Sequence, residues 1–183
     1  HDSACAQALF TPDDRRIISG SYSGSLKIWD AQTGTEISQI TAHQDRLNAF
    51  AIGSFADGLM LVTLSDDRSI KTWNPMKSTE ITTLSGHSHA VRKVHFNHEL
   101  KHIASASDDK TIKIWDACLP VESSGFSFAS QPVDVPVVKG LPQSLHSGQV
   151  NGLCALNNTL YSASDDFAAK LHDMATGHLL RFV

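Results

Sequence analysis

Cysteine is scarce in this 183-residue sequence: Cys5, Cys118 and Cys154 make an odd number without metal-ligand spacing. That scarcity excludes a disulfide-stapled fold and points to a reducing compartment. Cys5 and Cys154 fall in alternating apolar runs, where buried thiols are expected. Long apolar runs are missing too, none approaching the ~18 residues of a membrane-spanning helix, so no membrane partner is expected. Basic charge is also sparse. Fifteen Lys and Arg stand against 19 Asp and Glu for a net charge of −4, and basic residues occur in pairs at most. A broad nucleic-acid surface needs them clustered, so nucleic acid is not expected as a partner of this segment. The hydrophobic fraction of 41% is nevertheless enough for a packed core.

Tryptophan is rare but periodic. Leu26-Lys27-Ile28-Trp29-Asp30, Ile70-Lys71-Thr72-Trp73-Asn74 and Ile112-Lys113-Ile114-Trp115-Asp116 are copies of one segment, 44 and 42 residues apart, and Ala169-Lys170-Leu171-His172-Asp173 is a weaker fourth copy. The histidines give the same frame independently: His1, His43, His87 and His146 precede Trp29, Trp73, Trp115 and His172 by 28, 30, 28 and 26 residues. Within a unit, apolar alternating runs such as Val91 to Phe96, His102 to Ala106 and Thr111 to Trp115 are separated by turn residues, and a fourth run such as Glu80 to Leu84 completes a four-stranded unit. A period of ~40–45 residues with a Trp-Asp ending is the signature of a propeller blade. The units are 1–42, 43–86, 87–145 and 146–183, each with strands a, b, c and d.

On Gly86-His87, Ser105, Asp109 and Trp115-Asp116, the fullest copy, the chain resembles the WD40-repeat β-propellers over nearly all of its length. The resemblance implies an all-β fold, a propeller segment of four antiparallel four-stranded blades. It also implies that His, Ser or Thr, Asp and Trp of one blade form a hydrogen-bonded chain. By position these are His43, Thr63, Asp67 and Trp73 in the second blade and His87, Ser105, Asp109 and Trp115 in the third. The fourth has His146, Ser162 and Asp166, with His172 in place of Trp. The first has His1, Ser19 and Trp29, with Ser23 where Asp belongs. Four blades fall short of the roughly seven, or about 300 residues, that usually close such a ring. With a His first and no initiator Met, the sequence is expected to be part of a longer chain, an incomplete ring whose further blades are its neighbours. An unclosed stack exposes an apolar face at each end.

The physics of the network stands without the family. An indole N–H donates, Ser or Thr accepts and donates onward, a neutral His relays, and a carboxylate terminates the chain. The same Ser, His and Asp composition is that of an acyl-transfer triad, but one set per blade is a structural pattern, and a nucleophile needs an open pocket with an oxyanion site. No catalytic residue, metal ligand or cofactor is assigned. His98-Glu99-Leu100-Lys101-His102 matches H-E-x-x-H, whose zinc chemistry requires both His on one helical face; here the motif falls on the turn between strands a and b. His87 and His89 alternate at a blade entry, one in the network and one exposed. Asn157-Asn158-Thr159 is formally a glycosylation acceptor and reads as an a–b turn.

Trp115 to His146 takes 31 residues where the other blades use 14. The insertion, about 117–138, lies between strands c and d of the third blade. Its Pro132 and Pro136 and its serines mark a loop, while Phe126, Phe128, Val133, Val135, Val137 and Val138 suit a docking element. At the opposite end, Asp66, Asp108 and Asp165 precede the network Asp residues and line up as a negative rim able to attract a basic protein or peptide. Doubled Asp also suits a tight turn. In the family this face carries partners, which makes Tyr22, Asp45, Arg46, Asp66, His89, Asp108, Gln149 and Asp165 the candidates; Asp108→Lys is expected to leave the fold intact. The function this supports is a non-catalytic protein-interaction scaffold in a larger cytoplasmic protein, with the nucleus as the other location. The alternatives are a ribonucleoprotein component, on a loose likeness to the telomerase- and vault-associated propellers, and the regulatory propeller of a NACHT-type ATPase sensor.

Overall fold

A computed structural model describes residues 1–55, 58–97, 102–116, 137–140, 146–174 and 178–182. Four antiparallel sheets follow one another along the chain, each a meander of four strands. The first is β1 (Cys5–Phe10), β2 (Arg16–Ser21), β3 (Ser25–Asp30) and β4 (Glu36–Thr41). The second is β5 (Leu47–Phe55), β6 (Gly58–Ser65), β7 (Ile70–Asn74) and β8 (Thr79–Leu84). The third is β9 (Val91–Asn97), β10 (His102–Ser107), β11 (Ile112–Asp116) and β12 (Val137–Gly140), and the fourth is β13 (Val150–Leu156), β14 (Thr159–Ser164), β15 (Ala169–Asp173) and β16 (Leu179–Phe182). Strand d of the third blade thus starts at Val137, inside the span expected for the insertion. The rest of that insertion, with Phe126, Phe128, Val133 and Val135, lies outside the described residues.

Alternation along each strand sends residues to opposite faces, and neighbouring blades bury these faces against each other. Ile18, Leu26, Ile28 and Ile40 of blade 1 share a cluster with Leu47, Phe50, Leu61 and Trp73 of blade 2. Val62, Leu64, Ile70 and Leu84 of blade 2 meet Val91, Phe96, Ile103 and Trp115 of blade 3. Ala104, Ala106 and Ile112 of blade 3 meet Val150, Leu160 and Met174 of blade 4. Each blade therefore presents its Trp face to the blade before it.

The stack is not closed, and the chemistry of its ends differs from the sequence expectation at two residues. Cys5 and Cys154 are exposed rather than buried, because Cys5 lies on the face of blade 1 that no preceding blade covers and Cys154 on the free face of blade 4. Trp29 is only half-buried for the same reason, whereas Trp73 and Trp115 are 4% and 0% exposed. No helix of the described residues is long and apolar enough to cross a membrane.

Candidate functional site

Strand order places the b–c turns and the d–a loops of all four blades at one end, here termed the mouth. A backbone bond ties turn to loop in each blade, from the amide of Tyr22 to the carbonyl of Ala4, and likewise Asp66 to Arg46, Asp108 to Ala90 and Asp165 to Gln149, at 2.9–3.0 Å. The residue two after each of these takes the left-handed conformation: Gly24, Arg68, Lys110 and Phe167, with φ of 78°, 70°, 69° and 64°. At Gly24 a Cβ would strike the carbonyl oxygen of His43, so only glycine fits there.

Beneath the mouth lie the network residues. In blade 3 Trp115 Nε1 donates to Ser105 Oγ at 2.8 Å, His87 Nε2 is 2.8 Å from the same oxygen, and His87 Nδ1 is 2.8 Å from Asp109 Oδ2. In blade 2 the equivalent distances, Trp73 to Thr63, His43 to Thr63 and His43 to Asp67, are 2.9, 2.8 and 2.9 Å. Burial keeps His43 below the ordinary imidazole value, outweighing the Asp67 carboxylate. Burial opposes ionisation of Asp109 as well, yet hydrogen bonds from His87, Thr111 and the Ser88 amide hold its carboxyl well below the usual carboxylate range. The network hydroxyls of Thr63, Ser105 and Ser162 are buried, so none is presented to a substrate as a nucleophile must be.

The first and fourth networks depart from that scheme in distinct ways. In blade 1 Ser19 Oγ accepts from Trp29 at 2.7 Å and lies 2.6 Å from His1 Nε2. The other ring nitrogen reaches Ser25, at 3.3 Å, rather than Ser23, the residue aligned with Asp; Ser25 occupies the place from which Ser69 and Thr111 also approach their histidines. In blade 4 His146 bridges Ser162 and Asp166 at 2.9 and 3.0 Å. His172, though fully buried, has no hydrogen-bond partner at either nitrogen among the described residues. Burial, with His146 and Lys170 adding, pushes its pKa down to about 4.

The rim itself is built by residues that the motif reading passed over. Each strand a carries a β-bulge near its start, between Cys5 and Gln7, Leu47 and Ala49, Val91 and Lys93, and Val150 and Gly152. A bulge re-aims one side chain, and the four are Ala6, Asn48, Arg92 and Asn151. Asn48 Nδ2 donates to Asp66 at 2.7 Å and Asn151 Nδ2 to Asp165 at 2.5 Å. Arg92 grips Asp108 through Nε and Nη2 and reaches back to Asp66 of the preceding blade at 2.9 Å. One guanidinium thus offsets two of the three rim carboxylates. The signal was available in the sequence, since all four lie five residues after a blade histidine, but their aim depends on a bulge that no composition reveals.

Arg46 stacks on Tyr22 at 3.8 Å from the ring centroid and joins blades 1 and 2 as Arg92 joins blades 2 and 3. Asp45, Arg46, His89, Gln149 and Asp165 are exposed. Asp108→Lys would set an ammonium against Arg92 in place of its carboxylate partner, a cost on the scale of about 1 kcal/mol for a partly exposed pair. Arg92→Ala is expected to cost about 1 kcal/mol at low salt, less as salt screens it, read from denaturant midpoints at two ionic strengths.

Other sequence candidates fall away from the mouth. His102 begins strand β10, not a helix, and the remainder of its motif lies outside the described residues. No group of three or more His, Cys, Asp or Glu among the described residues could hold a metal. Asn157 sits in the a–b turn with φ of 53°.

Comparison with known proteins bears on these features. The family model described as WD domain, G-beta repeat matches residues 1–30, 34–74 and 78–116. Nuclear distribution protein nudF 1 of Talaromyces marneffei is 34% identical over 146 residues, covering 79% of this chain and 28% of that protein. Human pre-mRNA-processing factor 17 is 25% identical over 143 residues, covering 72% of this chain and 22% of that protein. The chain thus spans about a quarter of the length of these relatives. Among solved structures, the computationally designed Ika4 protein superposes with a TM-score of 0.76 at 24% identity, over 95% of this chain and 93% of that one.

Proposed function

The chain belongs to the WD40-repeat family, and on that premise we propose that it is a non-catalytic protein-interaction scaffold whose protein or peptide partner docks at the mouth end of the blades. The observation that carries the reading is Phe167. Its side chain is 102% exposed on a turn where φ is 64°. A bulky residue is disfavoured there by sterics and again by water contact, and Gly24, Arg68 and Lys110 at the equivalent turns show that nothing in the fold requires an aromatic.

Asp165 lies two residues away on the same turn, exposed, its carboxylate accepting from Asn151 Nδ2. An aromatic face beside a carboxylate suits a Lys or Arg side chain of the partner through cation–π and charge-assisted contacts. Arg92 withdraws Asp66 and Asp108 from that role, so the basic residue is expected at blade 4 rather than around the whole arc. Of the sequence candidates, Asp165 and Gln149 border this spot, while Tyr22, Asp45, Arg46, Asp66, His89 and Asp108 form the remainder of the surface. The relatives lend no support to the telomerase-, vault- or NACHT-type readings. One is named for pre-mRNA processing and another for nuclear distribution, and we place this chain in the cytoplasm or nucleus on its free thiols.

Photo-crosslinking tests this. A crosslinking residue at Gln149 should capture protein, one at Gln32 on the opposite end should not, and Asp165→Asn with Phe167→Asn should reduce capture at least tenfold. Equal yield from both ends, or recovery of nucleic acid alone, would overturn the reading.

A further inference from the structure

The three blade contacts differ in what they bury. Between blades 1 and 2 the rings of Phe50 and Trp73 enter the apolar cluster, and between blades 2 and 3 those of Phe96 and Trp115. Blade 4 meets blade 3 without such rings: register sets Leu153 at the Phe50 position, Ala155 at that of Phe96 and His172 at that of both tryptophans. On the facing side, Ala104 of blade 3 takes the place of Ile18 in blade 1 and Val62 in blade 2. Apolar burial holds blades together roughly in proportion to area, which makes this contact the weakest of the three.

Polar groups weaken it further. Asn97 of blade 3, 6% exposed, stands where Gly53 of blade 2 leaves room for the Phe96 ring, and its amide donates to the carbonyl of Asn157 in blade 4 at 3.1 Å. Of the five buried side-chain polar atoms without a hydrogen-bond partner among the described residues, three belong to blade 4: both ring nitrogens of His172 and Oδ1 of Asn158. An unpaired polar group costs stability only while it stays buried, and parting the blades lets water reach His172. At the mouth, Arg92 ties blade 3 to Asp66 of blade 2, whereas Asn151, at the Arg92 position of blade 4, donates to Asp165 of its own blade.

We propose that the contact between blades 3 and 4 is an opening line built into the stack: blade 4 parts from blade 3 and unfolds as a unit while blades 1 to 3 stay packed. In a repeat array stability is a sum of repeat and neighbour contributions, so the weakest internal contact decides where it opens. One blade cannot bury its apolar face alone, which makes parting and unfolding a single event below the global unfolding free energy. The event takes Asp165 and Phe167 out of the mouth together, but the inference rests on the blade contacts and is independent of the mouth reading.

Hydrogen exchange of the whole chain at neutral pH, read by mass spectrometry on peptides from β2–β3, β6–β7 and β14–β15, tests it. Blade 1, like blade 4, is covered on one face in this stack, so an end effect alone would speed both alike. The expected result is exchange in β14–β15 at least tenfold faster than in β2–β3, with β6–β7 slowest. His172→Leu removes both unpaired nitrogens, and His172→Trp restores the ring that the other blades carry. At least one of them should slow β14–β15 several-fold and leave β2–β3 unchanged. Equal exchange in β2–β3 and β14–β15, or no slowing of β14–β15 in either variant, would overturn the proposal.

Discussion

Trp115→Ala is expected to lower the unfolding free energy by about 3–5 kcal/mol, the scale for emptying a fully buried large aromatic site. Trp115 is wholly buried and serves two levels of structure. Its ring closes the contact between blades 2 and 3, and its indole N–H completes the chain through Ser105 and His87 to Asp109. Packing dominates, because a net hydrogen bond contributes only about 1 kcal/mol. Trp115→Phe, which keeps most of the ring but no donor, should therefore recover most of the loss. Trp29→Ala removes the same residue type from a half-buried place on the open face and should cost clearly less. Denaturant midpoints for the three variants decide the point; equal losses at Trp29 and Trp115 would show that inter-blade burial is not what Trp115 supplies.

The second large effect is a loss of stability on acidification that His172 controls. Burial holds its folded pKa near 4, against about 6.5 in the unfolded chain. The unfolded state therefore binds the extra proton first. The contribution is complete above pH ~6.5 and is lost progressively as pH falls towards 4, by about 3 kcal/mol over that window. His43, depressed by burial, adds in the same direction. Asp109 acts lower: its depressed folded value makes its contribution present above the unfolded value near 4 and lost only below it. His172→Leu removes both the titration and two buried nitrogens without partners. It should raise stability at pH 5 and flatten most of the slope between pH 6.5 and 4.5, measured as urea midpoints against pH. An unchanged slope would transfer the effect to the other histidines.

The repeats made the blades and the network legible, because both depend on residue type at fixed spacing. An indole donor, a hydroxyl, an imidazole and a carboxylate at constant intervals have one economical arrangement, and blades 2 and 3 show it. Where a member differs, the intervals no longer decide: Ser23 aligned with the missing Asp, yet Ser25 bonds to His1, since the shorter serine at Asp's place cannot span the gap that Ser25 already borders. The charge balance of the rim is less legible for a related reason. Asp66, Asp108 and Asp165 stand out in the sequence as repeated acids, but Arg92 lies 26 residues from one and 16 from another, and a bulge in strand β9 is what turns it towards both.

The sequence alone determined that four blades exist, where most of their strands fall, and which polar residues can satisfy one another, because alternation and period are properties of the chain read in one dimension. Only the tertiary structure decided which faces are covered, which charges are cancelled and which thiols meet water. Those depend on what lies across a blade contact or beyond a bulge, and residues brought together there are separated in sequence by most of a repeat.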